Sequence, residues 1–167
     1  MERNKILLTA FCGTSAELSV KGIESGLLYQ VLYLPNDKVK DAELLIEKLK
    51  QEHYDFVISL GQRPNIKDKV HIETTARKGE RSIETTFVCE TLKLAFEQNG
   101  LEAKLSHNAG TSFCNELYWN GLRYIEEEKL DTKMVFVHVP FKKNITDMEK
   151  FRGKMFSGLA WLETEKY

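Results

Sequence analysis

Cys114 stands where a thiol can become a nucleophile. It follows a short Gly-Thr-Ser turn, Gly110 to Ser112, and lies near the start of an amphipathic run, Phe113 to Glu127. Thr111 or Ser112 can cap a helix that begins there, which predicts Cys114 in the first helical turn. Backbone N–H groups in that turn lack intrahelical partners and favour negative charge. They are expected to lower the pKa of the thiol and to hold an oxyanion once a thiolate attacks a carbonyl. His138, near the end of the apolar segment "KMVFVHVP", is a second residue of the right type. A neutral imidazole can take the thiol proton and later give it to a leaving amine. A carboxylate would complete the set by orienting the ring, and Glu73, Asp131 and Asp147 are the options. The competing reading is packing, because cysteine is among the most buried residue types and a histidine in an apolar strand is commonly a satisfied core residue.

Composition narrows the function classes. The chain has 167 residues, 42% hydrophobic and 29% charged, which suits one globular domain over residues 1–167 with a sizeable core. A formal net charge of −1 gives no electrostatic footprint for nucleic acid or an anionic membrane. No apolar run approaches the roughly 18 residues of a bilayer span. The start, "MERNKILLTAF", has too short an apolar core for a signal peptide, so a cytoplasmic location is expected. The three cysteines, Cys12, Cys89 and Cys114, are odd in number and show no C-x-x-C spacing. His53, His71, His107 and His138 form no H-x-x-x-H pair, so neither a disulfide framework nor a zinc site is expected.

The elements that must position Cys114 and His138 are read from periodicity. "KILLTAF", "LLYQVLYLP", "DFVISLG", "LEAKLSH" and "KMVFVHVP" predict strands, and "KVHIETTA" alternates as an edge strand would. "SAELSVKGIESG" predicts a short helix with Thr14 or Ser15 as cap and Gly26 after its end. Asn36 or Asp37 should cap a helix through "KVKDAELLIEKLKQE", with Val39, Leu45, Ile46 and Leu49 on its apolar stripe. "TTFVCETLKLAFEQNG" predicts a helix using Phe87, Leu92, Leu94, Ala95 and Phe96, with Cys89 in its middle. Phe113 through Glu127 should form another, with Phe113, Leu117, Gly121 and Tyr124 along it, and Met148 to Thr164 a terminal one. Strands alternating with helices imply an α/β sandwich with a mainly parallel sheet, whose sites form at strand carboxyl ends.

These residues resemble a known family. "SHNAGTSFCN" is similar to the S-x-x-A-G-T-x-x-C-N signature of the pyroglutamyl peptidases, also called pyrrolidone carboxyl peptidases. "DTKMVFVHVPF" resembles the histidine segment of that family, which ends in H-[IV]-P-[FY]. "SLGQRPNIKDKVHIETTA" resembles its G-x-x-x-x-R…[IP]-E-x-x-A segment, and "KILLTAF" resembles its first strand. The resemblance implies a cysteine exopeptidase that removes an N-terminal pyroglutamyl residue from small peptides. Cys114 would be the nucleophile, His138 the general base and then acid, and Glu73 the orienting carboxylate. It implies a three-layer α/β/α sandwich with a mixed sheet, no metal or organic cofactor, and assembly into dimers or tetramers.

The departures from the family pattern concern the pocket. The first loop of the family, G-F-x-P-F-G-G, is "AFCGTSAE" here, which keeps Phe11 for the substrate and loses the proline, the second Phe and one Gly. Cys12, which replaces a residue of that loop, is read as packing. Gln62 follows a strand end and could reach a lactam. The long family segment containing D-A-R-I-P-D-N-x-G is reduced to "TTARKGERSIE", which leaves Arg77 and Arg81 as candidates for an arginine near the cysteine. Three alternatives follow: an amidase or peptidase with the same triad and another small acyl substrate, a non-catalytic ligand-binding relative, and a nucleotide-binding α/β domain. The last lacks any G-x-G-x-x-G or G-x-x-x-x-G-K-[ST] loop.

Overall fold

The computed structural model describes residues 2–25 and 28–166. Its strands in chain order are β1 (Ile6–Phe11), β2 (Tyr29–Leu34), β3 (Phe56–Arg63), β4 (Lys69–Glu73), β5 (Thr75–Lys78), β6 (Arg81–Glu84), β7 (Glu102–Ser106) and β8 (Lys133–Pro140). The α-helices are α1 (Ser15–Val20), α2 (Lys38–Gln51), α3 (Cys89–Gln98), α4 (Phe113–Glu127) and α5 (Met148–Ala160). Six strands form one sheet in the order β2-β1-β3-β8-β4-β7, and β5 pairs with β6 in a separate hairpin. Within the sheet only β4 and β8 pair antiparallel, so the sheet is mixed and mainly parallel, as expected.

Both faces of the sheet are covered, which is why its central strands are nearly continuous apolar runs. In β1, Ile6, Leu8 and Ala10 face a core completed by Ala16 and Val20 of α1, Leu92 and Phe96 of α3, and Phe151 and Met155 of α5. Leu7 and Phe11 alternate to the other face, where Leu45 and Leu49 of α2 and Leu117, Tyr118 and Leu122 of α4 close a second core. The result is a three-layer α/β/α sandwich. Register places Gly61 of β3 and His71 of β4 on either side of His138 in β8, while Glu73 lies opposite Phe136.

Several expectations change. "KVHIETTA" supplies no edge strand to the six-stranded sheet: β4 lies between β8 and β7, and its alternation reflects Val70 and Ile72 in one core while His71 and Glu73 lie on the other face near Arg63. The helix predicted from Thr85 starts at Cys89, because Thr85 is held elsewhere: its N–H donates to the Thr74 carbonyl and its hydroxyl to that of Met134. Cys89 therefore opens a helix instead of sitting in its middle. Val39 is 66% and Leu94 55% exposed, so neither belongs to the apolar face it was read into. Thr14 caps α1 and Asp37 caps α2, as the sequence allows. The terminal α-helix ends at Ala160 and continues as a 3-10 turn, Trp161–Glu163. The Gly26 stop and the Leu27 start of a strand lie outside the described residues. The β5–β6 hairpin was not read from the sequence. It turns at Gly79, whose φ of 62° suits the first position of a two-residue loop.

Candidate active site

His138 is fixed from both flanks by the register of β8 and is 4% exposed. Its ring packs against Phe136 with centroids 4.9 Å apart. Nδ1 lies 2.9 Å from Glu73 Oε1, so a proton on Nδ1 donates to the carboxylate and leaves Nε2 free as a base. Glu73 is fully buried. Burial alone would raise its pKa, but hydrogen bonding from His138 and Ser106 and the charges of His138 and Arg63 outweigh it, so the carboxyl is held below its ordinary range. The other two carboxylates raised by the sequence are elsewhere. Asp131 pairs with His53 at 2.7 Å on the surface, and Asp147 caps α5 through the Lys150 N–H.

Cys114 is the second residue of α4, after the N-cap Ser112, whose side chain makes no capping hydrogen bond. Its sulfur lies directly over β3. A Cβ built on Gly61 would stand 2.5 Å from Cys114 Sγ and 2.8 Å from Phe136 Cζ, so any side chain there would have to displace the sulfur or the Phe136 ring. Cys114 and His138 line one cleft of about 240 Å3 together with Gln62, Arg63 and the Asn108–Ser112 loop. The thiol is not acidified as the helix position suggested. Burial pushes it up to about 12, and the negative charge of Glu73 adds to this, whereas the Cys114 backbone N–H and Arg63 oppose it only weakly. At neutral pH the sulfur therefore holds its proton, and attack on a carbonyl requires a base at the moment of reaction.

A second cleft of about 250 Å3 meets the first at Cys114 and Gln62. It is walled by Phe11, Phe113 and Phe141. Gln62 accepts from the Ser15 N–H at 3.1 Å through its side-chain oxygen, and its amide N–H2 has no hydrogen-bond partner among the described residues. Phe11 and Gln62 both line this cleft with Cys114, and Gln62 is within β3, not after it as read from the sequence. Arg77 and Arg81 do not line either cleft. Asn115 brackets the Arg77 backbone at 2.9 and 2.8 Å, and the Arg81 guanidinium stacks over Trp119 at 5.3 Å.

The arginine beside the cysteine is Arg63, at the end of β3. It donates through Nη1 to Glu73 Oε1 at 2.9 Å and to the Asn108 carbonyl at 3.1 Å. Arg63 lies in the G-Q-R-P segment and Phe141 directly after the strand that holds His138, and neither residue type signals a role at its position in the sequence alone. A larger hollow of about 490 Å3, between β6 and the far end of α4, contains no cysteine or histidine. Among the described residues no cluster of His, Cys, Asp or Glu could hold a metal ion, and no helix is long and apolar enough to cross a membrane.

Comparison with known proteins follows the same lines. The family model described as pyroglutamyl peptidase matches residues 64–155, a stretch that includes Glu73, Cys114 and His138. Pyrrolidone-carboxylate peptidase 1 of Caldanaerobacter subterraneus subsp. tengcongensis is 28% identical over 82% of this chain and 82% of its own. The pyrrolidone-carboxylate peptidase of Staphylococcus carnosus is 27% identical over 82% of this chain and 78% of its own. Among solved structures, pyroglutamyl peptidase I of Bacillus amyloliquefaciens superposes with a TM-score of 0.79 at 17% identity, covering 100% of both chains. The pyrrolidone carboxyl peptidase of Fervidobacterium islandicum gives 0.80 at 20% identity, covering 91% of this chain and 94% of its own. These structural likenesses show the shared sandwich fold, and the sequence match over residues 64–155 shows that the chain belongs to the pyroglutamyl peptidase family.

Proposed function

We propose that this protein is a cysteine exopeptidase that hydrolyses the amide bond after an N-terminal pyroglutamyl residue. The observation that carries the reading is the 2.9 Å contact between His138 Nδ1 and Glu73, in a cleft that His138 shares with Cys114. Cys114 attacks the acyl carbon while His138 Nε2 takes the thiol proton. The tetrahedral oxyanion is held by backbone N–H groups in the first turn of α4. His138 then gives the proton to the leaving amine, and a thioester remains on the sulfur. Water, deprotonated by the same imidazole, releases pyroglutamate and restores the thiol. Glu73 holds the ring in the required tautomer and stabilises the imidazolium.

The acyl group belongs in the phenylalanine-walled cleft. A pyroglutamyl ring is small and uncharged with one lactam amide, so apolar faces and a single oriented donor suit it. Phe11, Phe113 and Phe141 supply the faces and the Gln62 amide the donor. The three free thiols among the described residues, one of them the nucleophile, fit a reducing compartment and hence the cytoplasm. In this reading residues 1–167 act as one catalytic domain. The test is hydrolysis of chromogenic amides. A pyroglutamyl anilide should be cleaved, and prolyl, alanyl and glutamyl anilides far less. Preference for another acyl group would favour the related amidase, and no cleavage of any would favour a ligand-binding relative.

A further inference from the structure

Arg63 is held by only one edge of its guanidinium. Both of its hydrogen bonds run through Nη1, to Glu73 Oε1 and to the Asn108 carbonyl. Among the described residues Nε and Nη2 have no hydrogen-bond partner, and the side chain is 30% exposed in the cleft that also contains Cys114 and His138. A guanidinium anchored on one side presents its remaining N–H groups as a fork, whose geometry matches a carboxylate.

The position of this fork relative to the chemistry is constrained. Glu73 Oε1 accepts from both His138 Nδ1 and Arg63 Nη1, each at 2.9 Å, so the arginine lies no more than two hydrogen-bond lengths from the imidazole. His138 must protonate the leaving amine, so the leaving group occupies the His138 side of the sulfur. Arg63 lines that cleft and not the phenylalanine-walled one. In a leaving amino acid the α-carboxylate is two bonds from the amine nitrogen, within reach of a cation so close to the proton donor.

We propose that Arg63 is a specificity residue that receives the α-carboxylate of the leaving amino acid, so that pyroglutamyl dipeptides with a free C-terminus are the favoured substrates. This rests on the peptidase reading above and adds the class of its leaving group. Amidated peptides lack the carboxylate, and longer peptides carry it too far from the scissile bond to meet the fork.

The test compares pyroglutamyl-alanine, pyroglutamyl-alaninamide and an uncharged pyroglutamyl anilide. The wild type should cleave the free acid with kcat/KM about tenfold above the amide, mainly through a lower KM, as one charge-assisted contact allows. Arg63→Gln should bring that ratio close to one. Arg63→Lys, which keeps the charge beside Glu73 and loses the fork, should lose most of the preference. Equal efficiency on acid and amide in the wild type, with the anilide cleaved, overturns the proposal alone. So does a preference that survives in Arg63→Gln. Should that variant lose all turnover because Glu73 loosens, the wild-type ratio and Arg63→Lys decide. No cleavage of any of the three by the wild type overturns the peptidase reading and this proposal with it.

Discussion

Cys89 and Cys114 share a local setting and differ in what surrounds it. Cys89 is the first residue of α3 and Cys114 the second of α4, so both thiols stand at helix N-termini. Burial pushes both up to about 12. Cys89 is 4% exposed in the core, with its sulfur 3.6 Å from the Phe87 carbonyl. Cys114 lies in a cleft with an imidazole that is braced by a buried carboxylate. A helix terminus therefore does not by itself make a reactive thiol, because desolvation of the sulfur outweighs the few N–H dipoles beside it. What separates the two cysteines is the cleft that Cys114 shares with His138 and that Cys89 lacks.

The largest expected effect comes from exchanging each thiol for a methyl group. Cys114→Ala should lower turnover of a pyroglutamyl anilide by roughly 10⁵-fold or more while the protein stays folded. Cys89→Ala should keep turnover and lose about 1 kcal/mol of stability in urea titration, the usual scale for removing one buried atom. A fall in turnover on changing Cys89, with Cys114→Ala active, would invert the comparison.

His138→Ala should be nearly as damaging as Cys114→Ala, since in the proposed mechanism one imidazole makes both proton transfers. Glu73→Gln should cost less, roughly 10²- to 10⁴-fold in kcat, because an amide can hold the ring but favours the wrong tautomer. The same variant has a pH signature. The Glu73 carboxyl is held below its ordinary value of 4.5, so it contributes stability that is fully present above that value and is lost as pH falls through the lower folded value. Acid unfolding should therefore show a shallower pH dependence in Glu73→Gln than in the wild type.

Gly61→Ala tests how closely the sulfur is placed. The added methyl must displace Sγ or the Phe136 ring, and kcat should fall by about 10- to 100-fold, the usual cost of misplacing a reacting atom by about 1 Å. The smallest effect concerns alkylation at pH 7. Iodoacetamide should label exposed Cys12 readily and Cys114 about tenfold faster than Cys89, because His138 can share the Cys114 proton. In His138→Ala the gap between Cys114 and Cys89 should close, and a gap that persists would assign the difference to exposure alone.

The order of strands and helices was legible because the runs around Ile6, Val57 and Val135 are apolar on both faces, and because Thr14 and Asp37 cap in the expected way. The position of β4 was less legible. A strand with His71 and Glu73 on the face near Arg63 has the alternation of an exposed edge, and only the sheet order distinguishes the two. Residue type left Glu73, Asp131 and Asp147 open and the resemblance selected Glu73, but the pairing of β4 with β8 that brings its carboxylate to His138 is not visible in the sequence. The charge state of Cys114 was misread, since position in a helix is visible in a sequence and desolvation is not. Arg63 was missed for a related reason: its partner Glu73 is brought to it by antiparallel pairing across β8, which sequence separation does not reveal.

The most direct measurement is affinity labelling with a chloromethyl ketone that carries a pyroglutamyl group, followed by turnover assay and peptide mapping. The predicted result is complete loss of pyroglutamyl anilide hydrolysis with one label per chain on Cys114. At one equivalent of reagent, directed attack at Cys114 should outrun alkylation of exposed Cys12, Cys89 should stay unmodified, and labelling should slow in His138→Ala. Label on Cys12 or Cys89 accompanying the loss, or full activity in protein labelled at Cys114, would contradict the assignment of the nucleophile and its base.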